Sequence, residues 1–207
     1  MDKINSIVIY DTEFWTDVGC QDRRWRGLSD HPPMLIQFGG YKVAVKEGLP
    51  EIDKINLMVQ PSAYGEILPI TDYFEELTGI SQARVNEEGV PMKKAFEIIK
   101  EFIGDDHCLS YGFDERATLL PSAYLNDLDF PFKATQFHDF RRTLHRAGWS
   151  EEKIFENTSG TVAKTLGLEV EAEGGVHDAA YDALSLLVSL RHIIDQGQLN
   201  LDQILVR

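Results

Sequence analysis

The amino-acid sequence predicts an α/β fold, five strands flanked by helices, with residues 1–207 forming one domain. Three observations lead there. Residues 6–11, SIVIYD, are β-branched and aromatic on both faces, as in a central strand covered on both sides. Strand-like segments open the chain, and helical spacing dominates its second half. A length of 207 residues at 43% hydrophobic suffices for one sizeable core and does not require two.

In order along the chain, the first strand runs into carboxylates at Asp11. Residues 17–33 (DVGCQDRRWRGLSDHPP) mix Gly, Pro, Asp and charge without a period, so they read as a long, insertion-like loop. MLIQFGGYKVAV is the second strand, with Gly39 and Gly40 marking a bulge or a close backbone approach. INLMVQP is the third, stopped by Pro61. Two helices follow: ITDYFEELTGI, with Thr71 as N-cap and Gly79 as its end, and MKKAFEIIKEFIG, closed by Gly104. HCLSY suits a fourth strand, FDERATLLPSAYLND begins a helix, and KATQFHDF supplies the fifth strand. TSGTVAKTLGL is a short helix closed by Gly167. A long helix over about 178–196 places Ala179, Ala183, Leu186, Leu190 and Ile193 on one face.

Charge excludes one function class. Lys and Arg number 20 against 34 Asp and Glu, a net −14, the wrong sign for a protein that grips a long polyanion by charge alone. A metal enzyme acting at a chain end escapes this objection, because bound divalent cations place positive charge at the reacting phosphate. Cys20 and Cys108 form no CxxC pattern, so neither a disulfide framework nor a thiolate metal site is indicated. The short apolar start before Asp11 fits neither a signal peptide nor a membrane span, so the expectation is a cytoplasmic protein without membrane contact.

The candidate chemistry rests on acids at strand ends. Asp11 and Glu13 are two apart, so a strand's period sends both side chains to one face, where they can share a metal. Alone, such a pair more often marks a strand end where both acids are simply hydrated. Asp114 follows HCLSY and Gly112-Phe113, and serves either at the same sheet edge or as a helix N-cap. In GGVHDAAYDALSLL, His177 and Asp182 are five apart and would diverge by about 140° on one helix. They converge only if Gly174, Gly175 and Val176 leave His177 outside the helix, with Asp178 near the N-cap and small Ala179, Ala180 and Ala183 allowing close approach to a strand.

With these motifs in hand, the chain resembles the DEDDh exonuclease superfamily, which has a ribonuclease H-like fold. IVIYDTEF is similar to its first motif, SYGFDERATL to its second, and HDAAYDA to its third, H-x-A-x-x-D-A. LIQFGGYKV, INLMVQP and ITDYFEELTGIS resemble the branch that trims small RNAs and histone messenger RNA ends, together with KapD-like bacterial relatives. The departures are Phe14 and Trp15 after Glu13, Ser110 in place of the usual asparagine, and the 17–33 loop.

The resemblance implies a mixed five-stranded sheet and a 3′-to-5′ exonuclease of single-stranded RNA or DNA, RNA favoured, releasing nucleoside 5′-monophosphates. It implies Asp11, Glu13, Asp114 and Asp182 as ligands of two divalent cations, Mg²⁺ or Mn²⁺, since hard oxygen donors suit those ions. Asp11 would bridge both, Glu13 and Asp182 would hold one, Asp114 the other, and His177 would be the general base. Thr12, Phe14 and Leu77 would touch substrate, with core packing the alternative for Phe14 and Trp15. Arg23, Arg24 and Arg26, or Arg141, Arg142 and Arg146, would either grip phosphates or lie on solvated faces. Two rivals remain: an inactive ribonuclease H-like module that binds a protein partner, and a metal-dependent phosphatase at the same sheet edge. Sequence leaves homo-oligomerisation open.

Overall fold

The computed structural model describes residues 4–172 and 174–205. The chain begins with β1 (Ser6–Phe14), α1 (Cys20–Arg23), β2 (Leu35–Ala44) and β3 (Glu51–Gln60), then a small ribbon of β4 (Ser62–Ala63) and β5 (Glu66–Ile67). Next come α2 (Asp72–Thr78), α3 (Gln82–Glu88), β6 (Val90–Pro91), α4 (Met92–Ile103) and β7 (His107–Ser110). A π-helical turn, Glu115–Leu119, leads into α5 (Leu120–Tyr124). β8 (Phe137–Asp139), α6 (Phe140–Arg146), α7 (Glu151–Phe155), α8 (Val162–Thr165) and α9 (Ala179–Asp195) complete the order.

The sheet order is β6-β3-β2-β1-β7-β8. β1 with β2 and β2 with β3 are antiparallel, whereas β1 with β7, β7 with β8 and β3 with β6 are parallel. The sheet is therefore mixed, as expected, but has six strands rather than five. The extra one, β6, is a two-residue parallel bridge to Val59 and Gln60, too short for a hydrophobic period to announce. α3 also goes beyond the sequence expectation: Ser81 caps it by accepting from the Arg84 amide, yet Val85 is its one buried residue, so the sequence shows no apolar stripe.

β1 is buried on both faces. Ile7 and Ile9 pack into one cluster with Leu186, Leu190 and Ile193 of α9, while Val8 and Tyr10 pack into another with Phe96 and Ile99 of α4. Helices thus cover both faces, and full burial of each such Leu or Ile contributes about 1.5–3 kcal/mol relative to exposure. Ala179, Ala183, Leu186, Leu190 and Ile193, the predicted face of α9, are all fully buried. The parity continues past the core, so Asp11 and Glu13 lie on the α9 face of the sheet.

Candidate active site

β1 extends three residues beyond Asp11, so the two acids sit within the strand and not at its end. On one side they stay paired, Asp11 opposite Gly39 and Glu13 opposite Gln37 of β2. On the other side the ladder to β7 stops at Ile9–Leu109. The acids therefore stand on a ledge beyond the carboxyl ends of β7 and β8, where ligands of α/β sheets collect.

Across this ledge lies the start of α9, held by buried polar contacts. Gln37 is fully buried; its Nε2 donates to Asp178 Oδ2 and Asn56 Oδ1, both at 2.9 Å, and its Oε1 accepts from the Ala179 amide at 3.0 Å. Asp178 caps the helix by accepting from the Ala180 and Tyr181 amides, each at 3.1 Å. Gly39 makes the contact possible: a Cβ there would lie 2.2 Å from the Ala179 carbonyl carbon and from the Ala180 nitrogen. His177 precedes the cap with a left-handed φ of 73°, uncommon for a residue with a side chain and of the kind that collects at functional sites. Leaving the helix there resolves the 140° divergence. Ligand atoms of Glu13, His177 and Asp182 all lie within 4.8 Å of one another.

Asp11, Glu13, Asp114, His177 and Asp182 line one cavity of about 280 Å³. Asp114 reaches it from the loop after β7, immediately before the π-helical turn, a distortion frequent at functional sites. Asp11 and Glu13 are buried, and their carboxyls are raised well above the usual range, first by burial and then by each other's neighbours: Asp114, Asp182 and Glu13 act on Asp11, and Asp182, Asp114 and Asp178 act on Glu13. Burial, the largest cause, raises Asp182 to about 7 against the opposing hydrogen bonds from Ser159 and the His177 backbone. Burial also lowers the imidazole of half-buried His177.

A cation fits these residues. Among the described residues, Asp182 Oδ1 is buried without a hydrogen-bond partner, in a cavity whose acids repel one another. Its carboxylate oxygens are hard donors suited to a divalent ion, with the His177 imidazole close beside them.

Thr12, Phe14 and Leu77 also line the cavity. Thr12 is buried, and strand alternation turns its side chain away from the face of Asp11 and Glu13. Phe14 is half-buried with Trp25 edge-on at 5.5 Å, whereas Trp15 is core, its indole N–H donating to the Pro69 carbonyl. Sequence reasoning missed Gln37, Thr16, Ser159 and Gly160. Thr16 lines the cavity, and its buried hydroxyl has no hydrogen-bond partner among the described residues. Ser159 Oγ donates to Asp182 Oδ2 at 3.2 Å, and a Cβ on Gly160 would lie 2.2 Å from Asp182 Oδ1. The one signal for the last two was Ser-Gly ahead of a helical stretch, which reads as a cap.

A profile of the exonuclease family (RNase_T) matches residues 8–188. No curated protein matches the chain. Among solved structures, the nuclease domain of 3′hExo, a DEDDh family member bound to rAMP, is similar with a TM-score of 0.72 and 17% identity, covering 95% of this chain and 94% of that one. Cell-death related nuclease 4 (CRN-4) follows with a TM-score of 0.70 and 17% identity, over 94% of this chain and 65% of that one. Exonuclease X in complex with 5′ overhanging duplex DNA gives 0.60 and 20%, over 96% and 97%. At these identities the likeness to the solved structures is one of fold.

Proposed function

The chain belongs to the exonuclease family, and from that premise we propose that it is a metal-dependent 3′-to-5′ exonuclease of single-stranded nucleic acid, RNA before DNA, acting as one domain over residues 1–207. The observation that carries the reading is the convergence of Asp11, Glu13, Asp114, His177 and Asp182, from three separated stretches of sequence, on one cavity. The RNA preference, and a place in the branch that trims small RNAs and histone messenger RNA ends, draw support from the similarity to 3′hExo bound to a ribonucleotide. Two free, buried cysteines accord with a cytoplasmic setting, and among the described residues no helix is long and apolar enough to cross a membrane.

In this reading Asp11, Glu13, Asp114 and Asp182 would hold two divalent cations, Mg²⁺ or Mn²⁺. When bound, such a pair neutralises the phosphate and makes water a better nucleophile at neutral pH. His177 takes the proton from the attacking water at a ring nitrogen, because partial burial keeps its imidazole neutral and able to accept. Ser159 orients Asp182. Phe14 and Leu77 flank the terminal base.

The test is digestion of 5′-labelled RNA and DNA strands with Mg²⁺ or Mn²⁺. A ladder shortened one nucleotide at a time, release of nucleoside 5′-monophosphates, and loss of about 10³-fold or more in Asp11→Ala and His177→Ala are expected. A wild-type chain that binds the cations yet leaves every strand intact would sink the reading in favour of an inactive interaction module. Free phosphate as the product would favour a phosphatase.

A further inference from the structure

Of the four acids in the cavity, Asp11 and Glu13 stand on β1 and Asp182 on α9, whereas Asp114 stands where the loop after β7 meets the π-helical turn. Strands and helices fix a side chain through their own backbone ladders; a loop residue needs other ties. This loop has them. The Tyr111 hydroxyl donates to the Ile154 carbonyl of α7. The Gly112 amide donates to Asp139 Oδ1 at 3.1 Å, in a buried contact. Gly112 has φ 121°, a conformation that favours glycine, so the turn into Asp114 is one that most residues resist. The Phe113 ring lies under two guanidiniums, Arg116 at 3.9 Å and Arg141 at 5.2 Å.

Asp139 is the most constrained of these partners. It is buried at the end of β8, opposite Ser110, the last residue of β7. Its Oδ1 also accepts from the Arg141 amide at 3.0 Å and from Arg141 Nε at 2.9 Å, and its Oδ2 accepts from Arg141 Nη2 at 2.7 Å. A planar, two-pronged contact of this kind fixes the orientation of a carboxylate as well as neutralising its charge. Arg141 in turn runs beside the loop, since a Cβ on Gly112 would lie 3.7 Å from its Nη2. Its hydrogen bonds to Asp139, and less strongly the charge of Asp114, hold the guanidinium above its ordinary range.

We infer that Asp139 and Arg141 position Asp114: Asp139 pins the Gly112 amide, Arg141 holds Asp139 in the orientation that does so, and the pair thereby sets where the Asp114 carboxylate meets a cation. This rests on the exonuclease reading for the cations and gives Arg141 a role inside the protein instead of at a substrate phosphate. Neither is among the described residues that line the cavity, so both act through Asp114.

The experiment is isothermal titration calorimetry of Mn²⁺ binding, without substrate, in wild type, Asp139→Ala, Arg141→Lys and Ser81→Ala. Ser81→Ala removes a helix cap, as Asp139→Ala also does, but on another element. Loss of a group that orients a metal ligand costs about 10- to 100-fold in affinity, so Asp139→Ala should weaken Mn²⁺ binding at one site by about tenfold or more. The Mn²⁺ concentration for half-maximal digestion should rise in step. Arg141→Lys keeps the charge but not the fork, and should weaken the same site by about threefold or more. Ser81→Ala should lower Tm and keep wild-type affinity. A folded variant of Asp139 or Arg141 that binds Mn²⁺ as wild type does would overturn the inference, and Arg141→Lys decides alone should Asp139→Ala fail to fold. A loss in Ser81→Ala equal to that in Asp139→Ala would also overturn it, because affinity would then follow stability alone. Wild type that binds Mn²⁺ but digests no strand would bring down the exonuclease reading and leave the positioning intact; wild type that binds no Mn²⁺ would bring down both.

Discussion

Asp182 carries an energetic cost in the cation-free chain. Its carboxyl, raised to about 7, is an acid whose ionised form the fold disfavours, so its contribution to stability is complete below the unfolded pKa of about 3.9 and is lost as pH rises through about 7. Asp11 and Glu13 are raised as well and act in the same direction. The cation-free protein should therefore melt at lower temperature at pH 8 than at pH 5.5. Asp182→Asn should raise the cation-free Tm at pH 8 by about 2–8 °C, the equivalent of 1–2 kcal/mol, and weaken the rise that Mn²⁺ produces in wild type. Scanning calorimetry with and without Mn²⁺ checks both; an Asn variant that melts lower than wild type at pH 8 would show that Asp182 is held by something other than a cation.

At the scale of elements, the site depends on how closely α9 approaches β2. Gly39→Ala pushes a methyl group into the Ala179–Ala180 backbone, which cannot swing aside as a side chain can. Overpacking of this kind costs about 1–3 kcal/mol, and a shift of the α9 start moves His177 and Asp182 together, so Tm should fall by about 2–10 °C and activity by about 10- to 100-fold. Gly40→Ala meets the Phe102 ring at 3.3 Å, a side chain that can yield, and should cost less on both measures. Equal effects from the two would mean that the approach at Gly39 is not what sets the helix. This contact was partly legible in advance: two glycines within a strand and three alanines at a helix start each signalled a close backbone neighbour. β1, β2 and α9 were readable because their apolar runs are long, whereas of β3 only the half from Ile55 was, its first four residues being exposed. β6 and α3 were not, one being two residues and the other burying a single side chain. The five acidic and imidazole positions were legible through the resemblance of their ordered motifs to the exonuclease superfamily, since each alone also fits a hydrated strand end, a helix cap or a solvated side chain. Gln37, Thr16, Ser159 and Gly160 had no such pattern, since a buried polar side chain in a strand or turn is defined by partners distant in sequence.

For the whole molecule, a net charge of −14 limits how an acidic nuclease can hold a polyanion. Long-range repulsion works against binding, so in the exonuclease reading affinity must come from cations in the cavity, stacking, and the few arginines set near Asp114. Counterion release then gives a quantitative expectation. Arg141 is already paired with Asp139, so if Arg142 alone neutralises one phosphate, log kcat/KM for a long single strand should fall with log salt concentration with a slope near about −0.7. Arg142→Ala should reduce that slope by about 0.7, and a dinucleotide should show almost none. Measuring cleavage across a range of KCl concentrations at fixed, saturating Mn²⁺ gives the slopes directly. A value near about −5 would call for several more phosphate contacts, from the Arg23, Arg24 and Arg26 cluster, a basic partner or a second copy that completes the strand-binding track.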